Sequence, residues 1–132
     1  MTVYLDSSAL VKLIQTETET AALRAFLAER RGLPKVTSAL ARVEVVRAVI
    51  RSDRAAVRHA RRLLSRLHEV DIDRSLLDRA GELVTDAPLR SLDAIHLASA
   101  LTLGSTLDAM VTYDVRMADA ASELGLPVER PG

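Results

Sequence analysis

Two periodicities alternate along the chain. Short runs with strand character occur at Val3-Tyr4-Leu5, at Lys35-Val36-Thr37-Ser38, from His68 to Asp71 and at Ala109-Met110-Val111-Thr112, with a minimal fifth at Val128. Between them, apolar residues return every three or four positions, the repeat of a helix with one buried face. The pattern predicts five strands separated by helices at residues 9–15, 18–30, 39–51, 53–66, 73–85, 91–103 and 115–124. Local signals set the ends. Ser7 or Ser8 caps the first helix and Asp73 the fifth, while Thr16-Glu17-Thr18-Glu19 has capping-box spacing ahead of the second. Gly32-Leu33-Pro34 and Gly125-Leu126-Pro127 are a repeated stop signal, Gly104 ends the sixth helix, and Pro88 marks the break before it. Strands alternating with helices indicate an α/β domain with a parallel sheet. In such sheets ligands gather at the carboxyl ends of the strands.

The 132 residues suffice for one domain and one sizeable core, with no interdomain linker. There is no cysteine, which excludes disulfides, thiolate zinc sites and cysteine nucleophiles and fits a reducing cytoplasm, the expected location. The opening residues, Met1 to Asp6, lack the basic and apolar regions of a secretory signal, and no uncharged stretch is long enough for a membrane span. With only Tyr4, Phe26 and Tyr113 aromatic, a base-stacking platform is excluded. The zero net charge hides an asymmetry: residues 42–66 carry eight arginines against Glu44 and Asp53, and residues 67–132 carry twelve acids against five arginines. The arginine block is either a solvated helix face or a surface for a polyanion or acidic partner.

Several acids stand where a core should be apolar. Asp6 ends the first strand, where a carboxylate is costly to bury without partners, although an Asx-type cap is common there. Asp93 is the only acid between Asp86 and Asp108 and lies in the first turn of a helix apolar on more than one face. Asp114 follows the fourth strand, on the same sheet edge as Asp6; Asp119 is a weaker candidate. Glu44 shares a helix face with Arg47 and Arg51, away from Val43, Val46 and Ile50, which also suits a simple ion pair on a wet face. Together Asp6, Glu44, Asp93 and Asp114 can meet at one edge of a parallel sheet. Carboxylates crowded there repel unless a cation neutralises them, and hard oxygen donors select Mg²⁺ or Mn²⁺ over zinc. Such an ion activates water and stabilises phosphoryl charge, so the set suggests phosphodiester cleavage. His96, one turn past Asp93, suits a packed, hydrogen-bonded core histidine.

These residues resemble the PIN-domain ribonucleases, specifically the VapC-type toxins of toxin–antitoxin systems. The resemblance is carried by Tyr4-Leu5-Asp6-Ser7-Ser8-Ala9-Leu10-Val11-Lys12, by Thr37-Ser38 leading to Glu44 and Arg47, by Leu92-Asp93-Ala94-Ile95-His96-Leu97-Ala98, and by Val111-Thr112-Tyr113-Asp114. They occur in family order over nearly the whole chain. Tyr113 departs from the small or polar residue often found before the fourth acid. The resemblance implies a three-layer α/β/α domain with a short parallel sheet. It implies a Mg²⁺- or Mn²⁺-dependent endoribonuclease in which Asp6, Glu44, Asp93 and Asp114 hold the ion and act in catalysis. Ser8 and Thr112 then orient carboxylates or water beside them, and Arg47 and Arg51 contact RNA or antitoxin. It further implies a VapB-type antitoxin and a homodimer that assembles further with it. An antitoxin arginine aimed at Asp6 and Asp93 is the expected inhibitor, with its chain in an apolar groove built from Leu10, Leu13, Ile14, Leu23, Phe26 and Leu27. The alternatives are a non-catalytic PIN-like binding module and, less well supported, an aspartate phosphoacceptor domain. The latter wants a late lysine or a second Asp at position 8, where the chain has early Lys12 and Lys35 and has Ser8.

Overall fold

A computed structural model describes all residues, 1–132. The strands are β1 (Thr2–Leu5), β2 (Lys35–Ser38), β3 (His68–Val70), β4 (Leu107–Val111) and β5 (Val128–Glu129). The helices are α1 (Ser7–Ile14), α2 (Thr20–Glu29), α3 (Ala41–Ile50), α4 (Ala56–Ser65), α5 (Arg74–Gly81), α6 (Ser91–Leu101) and α7 (Val115–Glu123). All strand pairs are parallel, in the order β3-β2-β1-β4-β5.

The two faces of the sheet follow from side-chain alternation. Val3 and Leu5 of β1 pack with Leu10, Leu23, Val45, Val49 and Leu64, so α1 to α4 cover one face. Tyr4, between them, packs with Met110, Leu97, Met117 and Ala121 on the other, under α6 and α7. This is the expected three-layer α/β/α arrangement. The apolar girth of α6 also finds its cause. Leu97 and Ala100 face the sheet, while Ala94 and Ala98 meet Leu76 and Ala80 of α5. The small residues let α5 and the sheet approach α6 from opposite sides, and they bury whatever polar groups α6 carries. The two Gly-Leu-Pro loops do similar work: Pro34 accepts from Val3 N and Pro127 from Met110 N, tying each loop to a central strand. Gly125 has φ 79°, a backbone conformation that favours glycine.

Several boundaries differ from the sequence reading. The cap of α1 is Asp6 rather than a serine, accepting from Ala9 N. The capping-box reading fails, because α2 starts at Thr20 and its cap, Glu19, makes no side-chain cap bond; Thr20 itself holds the turn by accepting from Glu17 N and donating to Lys12 O. The fifth helix stops at Gly81 instead of 85, and the following loop is pinned by Glu123 of α7, which accepts from Asp86 N and Ala87 N. On α3 the core stripe is Ala41, Val45 and Val49, and Val43 is 57% exposed. Leu97 is fully buried between α6 and the sheet, so Leu97→Ala should cost about 2–5 kcal/mol, read as a lower urea midpoint at unchanged m-value.

Candidate active site

The chain leaves β1 toward β2 and β3, then returns to place β4 on the other side of β1. The crevice of such a sheet opens at that reversal, at the carboxyl ends of the strands. Asp6 is the residue just past β1, and Asp114 lies just past β4. Each also caps the helix that follows: Asp6 Oδ1 accepts from Ala9 N at 3.0 Å, and Asp114 Oδ1 from Arg116 N and Met117 N at 3.0 and 3.1 Å. Capping and site chemistry therefore share the same side chains, with the helix dipole favouring the anion in both cases.

Asp6 is the most constrained of these groups. It is 2% exposed. Ser8 donates to Oδ1 at 2.6 Å, and Thr112 donates to Oδ2. Burial nevertheless wins over these donors and raises its pKa above the usual carboxylate range. Both hydroxyls also accept from the backbone past β4: Tyr113 N donates across to Ser8 at 2.9 Å, and Asp114 N donates locally to Thr112 at 3.2 Å. Ser8 and Thr112 thus clamp the end of β1 to the end of β4 through one carboxylate.

Glu44, in the first turn of α3, does not pair with Arg47 or Arg51, both of which are exposed. Its Oε1 accepts from Ser7 Oγ at 2.7 Å and lies 2.7 Å from His96 Nε2. Desolvation pushes its pKa up, but the hydrogen bonds from His96 and Ser7, with the charges of His96 and Arg90, outweigh it and hold the group below its ordinary value. An ionised carboxylate only accepts, so His96 Nε2 carries a proton. His96 is 2% exposed, and its Nδ1 lies 2.7 Å from the Tyr4 hydroxyl. Burial, then the charge of Asp6, keeps that hydroxyl protonated well above its usual range. A buried chain of bonds therefore runs from Tyr4 through His96 to Glu44.

Asp93 is 7% exposed at the start of α6. Its Oδ2 accepts from Arg90 N at 3.4 Å and faces Arg90 Nε at 3.3 Å. Arg90 Nη2 reaches Asp114 Oδ2 at 3.7 Å. Asp119 is exposed on α7 and joins none of these contacts. The four acids occupy one sheet edge, but no three acid or histidine side chains stand at the spacing that grips a metal ion. A cation belonging to the chain, Arg90, already lies among them. The donor set still suits a hard divalent ion: Glu44 Oε2 and Asp93 Oδ1 carry no protein hydrogen bond, and the contacts to Arg90 are long.

Sequence reasoning gave Arg90, Ser7 and Tyr4 no place in the site. The i,i+3 spacing of Arg90 and Asp93 was the available signal. The link from Tyr4 to His96 spans 92 positions and had none. Tyr4→Phe keeps the packing but leaves His96 Nδ1 buried without a partner. Chemical denaturation should show a loss of about 1–3 kcal/mol, and the His96 ring nitrogen shifts should change.

Comparison with known proteins points to one family. The PIN domain family model matches residues 3–123. The chain is 49% identical to Ribonuclease VapC46 of Mycobacterium tuberculosis over 129 residues, covering 98% of this chain and 97% of that one. It is 45% identical to Ribonuclease VapC35 of the same species over 132 residues, with the same coverage of 98% and 97%. Among solved structures, the fold resembles M. tuberculosis VapC20, described as a sarcin-ricin loop cleaving toxin, with TM-score 0.77, 20% identity and coverage of 98% of this chain and 100% of that one. It also resembles VapBC2 from Rickettsia felis bound to a promoter DNA fragment, with TM-score 0.74, 16% identity and coverage of 98% and 99%. A family model spanning nearly all of the chain, and relatives this similar over their whole length, give one answer: the protein belongs to the PIN-domain family, in its VapC branch.

Proposed function

We propose that the protein is a metal-dependent endoribonuclease toxin of a VapBC system, cutting RNA at the edge formed by Asp6, Glu44, Asp93 and Asp114 and restrained by a cognate antitoxin. The observation that carries this reading is the convergence of these acids at the sheet's switch point, with Asp6 buried and clamped by Ser8 and Thr112. The names of the relatives, ribonucleases at up to 49% identity, support it. Asp6, Asp93 and Asp114 would hold Mg²⁺ or Mn²⁺, with Glu44 directly or through water. A bound divalent ion supplies a lowered water pKa and neutralises charge on the phosphoryl oxygens. The chain's own contribution is placement. Ser8, Ala9 and Thr112 fix Asp6 so that it cannot rotate away. His96 and Ser7 fix Glu44 through Oε1 and leave Oε2 without a protein hydrogen bond.

Two surfaces support the partners. Between α2 and α4 lies a cavity of about 880 Å³, with Leu13, Leu27 and Leu63 at its apolar wall and Arg24, Arg62 and Arg66 among its basic groups. We assign it to the antitoxin, whose segment would be apolar with acidic flanks. The expected groove is corrected in its walls: Leu10 and Leu23 are wholly buried in the core, and Phe26 lies under the Arg30 guanidinium at 3.7 Å. Beside Glu44, Leu40, Val43, Ile50 and Leu92 form an apolar depression that includes Arg47 and Arg51. With Val43 57% and Leu92 49% exposed, this face suits the second copy of a homodimer. No helix is long and apolar enough to cross a membrane.

Asp6→Asn should abolish RNA cleavage, with a loss exceeding the roughly 10–100-fold typical of removing a supporting partner. Mg²⁺ should raise the melting temperature of the wild type and not of the variant. Stability should be kept or gained, because asparagine caps helices well and a buried charge is gone. The sign follows from the raised folded pKa of Asp6. Its contribution is fullest in acid, below the unfolded value, and is lost as pH rises through the folded value, so the variant's advantage should grow over that rise. A large loss of stability with cleavage intact would return Asp6 to a purely structural role. For the partner, Leu63→Asp with Arg62→Glu should weaken binding of the protein encoded beside the toxin gene at least about tenfold while leaving cleavage unchanged. Equal affinity would remove the groove from the interface.

A further inference from the structure

Arg90 is the only arginine or lysine ion-paired with the acids of the site. Nε faces Asp93 at 3.3 Å and Nη2 faces Asp114 at 3.7 Å. The two carboxylates belong to different elements, the first turn of α6 and the cap of α7. Anions facing one space repel unless a cation lies between them. A planar guanidinium is suited to this, since separate N–H groups can address separate carboxylates. Its hold is loose. The Arg90 side chain is 62% exposed, and the distances are longer than those of a well-formed charged hydrogen bond. The backbone is held more firmly, because Arg90 O accepts from Ala94 N at 2.9 Å in the first turn of α6. The side chain can therefore leave without disturbing the start of α6.

The oxygens that Arg90 addresses, Asp93 Oδ2 and Asp114 Oδ2, are among those a hard divalent ion would take. We propose that Arg90 and the divalent cation compete for Asp93 and Asp114, the guanidinium holding the two carboxylates in the metal-free protein and yielding when the ion binds. The proposal rests on the metal-dependent reading above. Two cations cannot share the same lone pairs at close range, so the free energy of the arginine's pairing is subtracted from that of the ion. The arginine then sets how much metal the site requires, and the bound ion frees a guanidinium at the rim of the edge.

The test is calorimetric titration of Mn²⁺ into the full-length, RNA-free protein as wild type, Arg90→Gln and Arg90→Lys. Melting curves of the metal-free proteins establish that each is folded. The glutamine variant should bind Mn²⁺ roughly two- to fivefold more tightly than wild type, the range for an exposed ion pair. Its metal-free form should melt lower, because the repulsion between Asp93 and Asp114 is no longer relieved. The lysine variant keeps the charge and should lie close to wild type in both readouts. Raising the salt concentration should narrow the gap between wild type and the glutamine variant. A glutamine variant that binds Mn²⁺ as wild type does, or more weakly, overturns the competition and leaves the metal reading standing. Failure of every form to take up Mn²⁺ at millimolar concentration overturns the metal reading, and the competition with it.

Discussion

The architecture of the acidic edge depends on how one carboxylate is buried. Asp6 is almost out of contact with solvent, and burial alone disfavours its charged form. Ser8, Ala9 N and Thr112 make its burial possible. These donors come from the start of α1 and the end of β4, so they are in reach only if β1 and β4 are neighbours in the register observed, with Leu5 beside Val111. A slip of one residue would turn every side chain of the strand to the opposite face and separate Asp6 from Thr112. The acid thus depends on the central strand pair and in turn ties their carboxyl ends together.

Glu44 shows a second way of holding a charge at the edge. It is only half-buried, and two hydrogen bonds to one oxygen outweigh the cost of desolvation, which leaves it a stronger acid than an exposed glutamate. The bonds extend inward through His96 to Tyr4, on the face of β1 opposite Val3 and Leu5. Asp6 and Glu44 are therefore tuned in opposite directions by similar donors. The difference is depth: the deeper acid loses more hydration than its partners return. In a site that must present several anions, such spreading lowers the number of full charges crowded together.

Much of this was legible in the sequence because it is local. Apolar runs and helical repeats located all five strands and seven helices, and the spacing from strand end to acid placed Asp6 and Asp114 at one edge. The errors arose where long-range contacts overrule local signals. Thr16-Glu17-Thr18-Glu19 has the spacing of a capping box, yet Lys12 takes both Glu17 and Glu19 as partners at 2.8 Å. The glutamates are thereby used by α1 and α2 opens late. The arginines around Glu44 suggested an ion pair on a wet face, but the histidine of α6 is nearer. Of the valines that the helical repeat set apart from Glu44, Val46 packs beside the core residues Val45 and Val49, while Val43 is left uncovered. Arg90 was overlooked because an arginine before a helix is ordinary until the fold brings Asp114 beside it.

The charge asymmetry takes on a spatial meaning in the fold. The acids that matter lie at the carboxyl ends of the strands, whereas the cavity lined by Arg62 and Arg66 also contains Lys35, the first residue of β2. The arginines of α4 therefore belong in large part to the opposite end of the sheet. They are poorly placed to guide a phosphodiester into the acidic edge and better placed to receive acidic side chains from another chain. Arg90, between Asp93 and Asp114, lies at the acidic edge itself, and Arg47 and Arg51 lie beside it, in the depression that includes Glu44. For the ribonuclease proposed above, an acidic edge would need cations close by to accept a polyanion, yet too many would quench the carboxylates proposed to hold the metal. Loosely held arginines at the rim meet both demands, because an exposed side chain can exchange one anion for another at little cost.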